Sequence, residues 1–339
     1  MAEATSTGDR PPIHLACLDN DGARALVSRL YGWSVDCIKR LPGYDDRNFY
    51  LKSTDSSFKH SEFVLKVVNS RESGSPGLME VHMEVLLYLV ERGIHCPIPV
   101  KNLKGDYCSL EEIVDKTGKQ PTGLKFMVLM MVFIPGKLVR DLYKPDVPIP
   151  DKWFYVMGQS LGTMNKALLD FQKPSVVVLQ KQADEYVWSP NYIPRVRHIL
   201  WAVKDEGKRK LAESVLAEFE AQVVPELAGL RRSILHTDFN DMNIISLKGD
   251  PTPCDSDWHT AGGLDISANQ DSVLQTLGVI DFMDVVYSSL VFDPSNSQAY
   301  MMMSQSHGDP LVSGGHFLAG YNSVLPLTAT EMGLVQCCP

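Results

Sequence analysis

Ile234-Leu235-His236-Thr237-Asp238-Phe239-Asn240-Asp241-Met242-Asn243-Ile244-Ile245-Ser246 is the stretch whose reading decides the fold. An apolar lead-in gives way to a polar turn and then an apolar exit, which predicts strand, loop and strand over residues 234–246. Asp238 and Asn243 stand with four residues between them. That is the spacing of a phosphoryl-transfer loop, in which the Asp takes the proton of the attacking hydroxyl and the Asn holds a metal ion. Downstream, the apolar run over 277–282 contains Ile280-Asp281-Phe282-Met283-Asp284 at its end and places Asp281 where a second metal-binding carboxylate would stand. The chemistry asks for such a pair of loops, because a polyphosphate tail is strongly anionic and the ions that neutralise it prefer hard oxygen ligands. A plainer reading stays open here, since Asp and Asn beside short apolar runs are ordinary turn residues. His236 reads as a brace for the loop backbone, and Asp241 and Asp284 as supporting or solvated groups.

Upstream of this loop, Asp19 is placed to cap a helix with Ala23, Leu26, Val27 and Leu30 on one face, closed by Gly32. Strand-like runs at 35–41, 48–52 and 62–68 follow, separated by turn-rich segments, the pattern of an antiparallel meander. The turn at 42–47 holds one glycine, Gly43, and reads equally as a phosphate-covering loop or a plain hairpin loop. Lys66 is the single charge in Phe63-Val64-Leu65-Lys66-Val67-Val68, so it either points to solvent or serves an anion. Ser75-Pro76 starts a helix that Gly93 closes, with Glu80 and Glu84 one turn apart. The apolar stretch 125–134 reads as a buried edge strand leading into a hinge at Pro135-Gly136. Amphipathic helices are expected at 151–171 and at 204–223, the latter with Leu211, Val215 and Phe219 inward. A Pro, Gly, Ser and Asp-rich run at 248–276 reads as a flexible insertion between the two catalytic strands. A Met-rich helix is expected over 295–306.

Composition bounds the function. A chain of 339 residues with 44% hydrophobic and 22% charged residues has room for one large or two medium domains with a substantial core. The formal net charge of −9 disfavours nonspecific nucleic-acid binding and tolerates a cationic small substrate. The seven cysteines form no C-x-x-C pair and fit a reducing compartment. Without a signal-like leader or a membrane-length apolar run, a soluble cytoplasmic protein with no membrane partner is the expectation. Oligomeric state leaves no mark on the sequence.

Taken as a set, His236-Thr237-Asp238 with Asn243, Ile280 to Asp284, Lys66 on its strand, the helix exit from Gly93 to Pro97 and Phe133-Ile134-Pro135-Gly136 resemble the aminoglycoside phosphotransferase and choline kinase-like superfamily. Within it the resemblance is to the hydroxylysine kinases. It implies an α+β, protein kinase-like two-lobed fold with an antiparallel sheet plus helix in the N-lobe and a mostly helical C-lobe. Residues 1–18 would be a disordered start, 19–134 the N-lobe and 135–339 the C-lobe, with the metal-binding segment at 277–284. It further implies Asp238 as catalytic base, Asn243 and Asp281 as Mg²⁺ ligands, Lys66 as the phosphate contact and Glu80 as its helix partner. The donor would be GTP ahead of ATP, and the acceptor the hydroxyl of 5-hydroxy-L-lysine. Choline, ethanolamine or homoserine as acceptor, or a pseudokinase, are the alternatives. Thr237 and Met283 stand where the family commonly has Gly, and the C-lobe is expected to be shortened.

Overall fold

A computed structural model describes residues 12–53, 59–114, 118, 121–142, 149–247, 277–304 and 308–337. Most of the expected disordered start (residues 1–11) and the insertion at 248–276 lie outside the described residues. Two compact units divide the chain, one of residues 1–87 and 97–133, the other of 88–96 and 134–339. The fold is α+β, an antiparallel N-terminal sheet followed by a largely helical C-terminal part.

In the first unit, α1 (Asn20–Tyr31) begins where the Asp19 carboxylate accepts the Gly22 N–H at 2.8 Å and ends at Gly32, whose φ of 73° favours a residue without Cβ. Then come β1 (Cys37–Leu41), β2 (Arg47–Lys52), β3 (Glu62–Val67), α2 (Pro76–Glu91), β4 (Pro99–Val100), β5 (Cys108–Glu112) and β6 (Lys125–Val132). They form a six-stranded sheet in the order β1-β2-β3-β6-β4, with β5 also on β6. Every pairing is antiparallel. The apolar face of α1 packs on the sheet through Leu26, Val27 and Leu30 against a cluster that includes Phe49, Leu51, Phe63, Leu65 and Phe126. Burying each such side chain is worth about 1.5–3 kcal/mol. The sheet corrects one expectation. β6 is an interior strand, because β4 and the polar strand β5 cover the edge that its sequence left unaccounted for.

The second unit contains β7 (Lys137–Leu138), α3 (Val139–Leu142), α4 (Asp151–Leu169), α5 (Val176–Gln182), a 3-10 stretch (Pro190–Ala202) and α6 (Glu206–Gln222). These are followed by β8 (Arg232–Leu235), β9 (Ile244–Ser246), β10 (Leu277–Val279), β11 (Val286–Ser289), α7 (Phe292–Ser304), α8 (Pro310–Val324) and α9 (Ala329–Leu334). Helices α4 and α8 touch backbone to backbone. A Cβ on Gly158 would lie 2.0 Å from the Phe317 carbonyl oxygen, and one on Gly320 would lie 1.9 Å from that of Tyr155, so both positions require glycine. α9 is tied to the start of β8 by Arg231, which donates to the buried Glu331 carboxylate (Nε to Oε1, 2.9 Å) and to the Pro326 carbonyl. Glu331 also closes a capping box with Thr328. On α6 the inward side is Leu216 and Phe219, whereas Leu211 and Val215 are 65% and 41% exposed. The expected face there is corrected by less than one turn: periodicity marks a stripe, and the packed neighbours choose its centre.

Two antiparallel ribbons position the loops of interest. β9 pairs with β10, and β8 pairs with β11. The loop from β8 to β9 carries Asp238 and Asn243, and the loop from β10 to β11 carries Asp281, so the pairings hold the two loops side by side. The cross-connection continues beyond the strands, where the Ile280 N–H donates to the Asn243 carbonyl at 2.9 Å.

Candidate active site

Asp238 is half-buried, with its carboxylate held at both oxygens. Asn240 Nδ2 donates to Oδ1 at 2.8 Å and Asn243 Nδ2 to Oδ2 at 2.6 Å. Burial raises the Asp238 pKa and the nearby Asp281 charge raises it further, against the Asn243 and Asn240 hydrogen bonds that lower it. Asn243 is buried, and its amide N–H groups are turned to Asp238, including a 2.9 Å bond to the Asp238 carbonyl. Its Oδ1 is therefore the face left for a cation. Asp281 is exposed and holds a left-handed φ of 65°.

His236 binds the two loops together. It is fully buried, edge-on to Phe282 with ring centroids 4.7 Å apart, and its Nε2 lies 3.0 Å from the Ile280 carbonyl oxygen. Its Nδ1 accepts the Asp238 N–H at 3.3 Å, so the proton is assigned to Nε2. Burial pushes its pKa down to about 4, and the ring is neutral at neutral pH. It is a structural brace.

Thr237, standing where the resemblance led to the expectation of Gly, has a φ of 64°. A β-branched residue is strained by roughly 1–2 kcal/mol in that region. Its hydroxyl, with one proton to donate, lies 2.7 Å from the His236 carbonyl oxygen and 2.9 Å from that of Asp284 on the other loop, and a hydrogen bond there offsets part of the strain. Met283 is buried in a 3-10 turn without positive φ, so no glycine is required there.

Lys66 and Glu80 belong to the first unit. Lys66 is 6% exposed, so its side chain is directed to an anion: Nζ lies 2.9 Å from the Asp46 carboxylate, itself bonded to the Asn69 N–H. Glu80 is exposed on α2. Two positions further, His82 is fully buried, and Lys66 is one of the charges that lower its pKa. About 100° per residue puts Glu80 on nearly the opposite side of the helix from His82, which is why Glu80 does not take the place expected of it beside Lys66.

The sequence reading missed Asp293, Asn296 and Tyr300, all on α7. Asp293 is fully buried and accepts the N–H groups of His236 (3.1 Å) and Thr237 (2.8 Å). Asn296 donates to the Thr237 carbonyl. The available signal was polar residues at i, i+3 and i+7, the first of them ahead of the Met-rich helix expected over 295–306. Burial raises the Asp293 pKa to about 6, against the backbone bonds and Asn165. An acid raised in this way favours folding fully below the ordinary Asp range near pH 4, and that contribution is lost as pH rises through about 6. The lost contribution is of order 3 kcal/mol. Asp293→Ala is expected to flatten that pH step in urea denaturation. It should also lower stability at every pH, because two buried N–H groups lose their acceptor at about 1–3 kcal/mol each. An unchanged step between pH 4.5 and 7.5 would assign it to other groups.

Among the described residues no three His, Cys, Asp or Glu side chains group as a metal site, and no helix is long and apolar enough to cross a membrane. The donor set of Asp281, Asn243 and the neighbouring Asp238 nonetheless suits Mg²⁺, which is usually held by one or two carboxylates with substrate phosphates and water.

Residues 38–260 match the phosphotransferase enzyme family. A hydroxylysine kinase of Xenopus laevis is 30% identical over 96% of this chain and 83% of its own, and one of Bos taurus is 29% identical over 92% and 76%. Among solved structures, the amicoumacin kinase hAmiN, in complex with AMP-PNP, Ca²⁺ and Ami, has a TM-score of 0.59 at 14% identity and covers 94% of this chain and 82% of its own, a likeness of fold. With two paired loops presenting Asp238, Asn243 and Asp281 and a match over most of its length, the chain belongs to the phosphotransferase enzyme family, as a kinase that transfers phosphate to a hydroxyl group.

Proposed function

We propose that this small-molecule kinase transfers the γ-phosphoryl group of GTP to the side-chain hydroxyl of 5-hydroxy-L-lysine, with Mg²⁺, in the cytoplasm. The observation that carries the reading is the Asp238 carboxylate, fixed by Asn240 and Asn243 beside the Asp281 charge. The hydroxylysine kinase relatives support the acceptor.

An ionised carboxylate offers about four lone-pair positions. Asn240 and Asn243 take two of them, which leaves room for the acceptor hydroxyl. As the acceptor oxygen bonds to the γ-phosphorus, the bond from phosphorus to the β,γ-bridging oxygen breaks, the hydroxyl proton passes to Asp238, and GDP leaves. Asn243 and Asp281 would hold Mg²⁺, which when bound neutralises charge on the phosphate oxygens. Lys66 is the phosphate contact in this reading, exchanging the Asp46 carboxylate for a phosphate oxygen. Fixing the base in advance supplies the orientation on which this reaction chiefly depends.

Release of nucleoside diphosphate by the full chain, with GTP or ATP and a panel of 5-hydroxylysine, choline, ethanolamine and homoserine, tests the reading. Release with GTP that depends on 5-hydroxylysine is expected. Preference for another amino alcohol would reassign the acceptor, and nucleotide binding without turnover would make the chain a pseudokinase.

A further inference from the structure

We propose that Asp46 is a built-in rival of the nucleotide phosphates for Lys66: its carboxylate holds the ammonium until a phosphate tail displaces it, and so sets nucleotide affinity. The inference rests on the proposed role of Lys66 as phosphate contact.

The register of the first sheet brings the pair together. Asn48 on β2 stands opposite Lys66 on β3, and side chains alternate along a strand, so Asp46, two residues before Asn48, falls on the Lys66 face as its diagonal neighbour. The other face carries Phe49, Leu51, Phe63, Leu65 and Val67 into the core with α1. The two oxygens of Asp46 are divided. Oδ1 accepts the Asn69 backbone N–H at 2.9 Å and lies 3.4 Å from Asn69 Nδ2, whereas Oδ2 lies 2.9 Å from Lys66 Nζ. Asn69 is itself fixed, because its Oδ1 accepts the N–H groups of Arg71 and Glu72 at the start of a 3-10 turn (Glu72–Gly74). Asn48 Nδ2 closes the turn at 42–47 by donating to the Pro42 carbonyl at 3.2 Å. One carboxylate oxygen is thus anchored, and the other is presented to the ammonium. Asp46, Lys66 and Asn69 are all buried and all belong to the first unit.

Stability alone does not account for this pair. Taking two charges out of water costs about as much as their attraction returns, and well-packed apolar residues commonly hold a sheet as well. A carboxylate oxygen and a phosphate oxygen are like acceptors for an ammonium, so the group that holds Lys66 competes with the group that Lys66 is proposed to bind. The contest is unequal, because a carboxylate carries one negative charge and a nucleoside triphosphate tail several. Once displaced, Asp46 keeps the Asn69 bonds at Oδ1 and is not stranded without donors. Observed affinity is then the intrinsic affinity reduced by the fraction of molecules in which Lys66 has left Asp46.

The test is Asp46→Asn in the full chain, with the dissociation constants of GTP and ATP measured by calorimetry in Mg²⁺. Asn keeps an oxygen for the Asn69 N–H and turns an N–H group to Lys66, so the anchor stays and the rival goes. The expected result is nucleotide binding tightened about tenfold, the ratio that follows if Asp46 holds Lys66 in about nine molecules in ten. In a Lys66→Met background the same substitution should change affinity by less than about twofold, because no ammonium is left to compete for. Unchanged or weaker binding in Asp46→Asn would overturn the proposal. An equal gain in the Lys66→Met background would overturn it too, since the effect would then be one of net charge. Should Asp46→Asn not fold, a crystal structure of the parent with a non-hydrolysable GTP analogue decides: Nζ on a phosphate oxygen and off Asp46 supports the rivalry, and an intact Lys66–Asp46 pair refutes it. If the parent binds nucleotide but releases no diphosphate with any acceptor, the proposed reaction fails, and the affinity ratio still decides the rivalry. If neither parent nor variant binds nucleotide, the rivalry falls with the role of Lys66.

Discussion

Asp238→Ala is expected to lower kcat by roughly a hundredfold or more, the scale of losing a general base, while the KM for nucleotide changes little. The substitution removes the group proposed to take the acceptor proton, but it leaves the two loops joined through β8–β11, β9–β10 and the His236 brace, none of which uses the Asp238 side chain. Asn240 and Asn243 lose a shared acceptor at a partly solvated site, so the cost in stability should be small beside the kinetic loss. The pH profile of the parent adds a check on sign. Burial and Asp281 raise the Asp238 pKa, so turnover should fall as pH drops into a range above that of an ordinary aspartate, where the base becomes protonated and cannot accept. Steady-state kinetics over pH with both nucleotides measures both effects. A change confined to KM would remove Asp238 from the role of base.

How much of this site could be read from sequence depends on the distance over which each residue finds its partner. The Asp238 to Asn243 spacing is local, and that the two side chains meet was legible because one loop delivers both. The cap at Asp19 and the stop at Gly32 are local in the same way, which is why α1 was predicted to within a residue. Lys66 stood out as the single charge in an apolar strand with both a solvent-facing and an anion-serving reading open, and the sequence could not choose because Asp46, which it meets, comes from the turn before β2, twenty residues away, where two adjacent aspartates look like ordinary turn chemistry. Glu80 looked right by order along the chain and is wrong by helical phase. The same limit hid β5: Cys-Ser-Leu-Glu-Glu has no strand pattern of its own and is a strand because β6 offers it an edge. Asp293 was the costliest omission. Nothing near it in sequence announces a loop about 56 residues earlier, and only the antiparallel return through β10 and β11 brings α7 to it.

Asp281→Asn is expected to abolish Mg²⁺-dependent turnover, with a loss on the order of a thousandfold, because the metal supplies several kcal/mol of charge stabilisation and this exposed carboxylate is one of its two proposed ligands. The choice of Asn matters. Asp281 sits at φ 65°, a conformation that Asn tolerates nearly as well as Asp and that other side chains resist, so the variant should keep the loop and the fold. Two measurements separate loss of metal from loss of structure. The thermal midpoint without ligands should match the parent. With GTP present, the parent's midpoint should climb as Mg²⁺ is added, by the linkage of binding to folding, and the variant should lose most of that increment. Because the Asp281 charge is one cause of the raised Asp238 pKa, its removal should also let the Asp238 carboxylate ionise more readily. The variant would then hold a base that is better ionised and a reaction that is nonetheless slower, an outcome that only the loss of metal binding explains. Unchanged Mg²⁺ dependence of both turnover and midpoint would strike Asp281 from the site and leave Asn243 as the proposed ligand still to be tested.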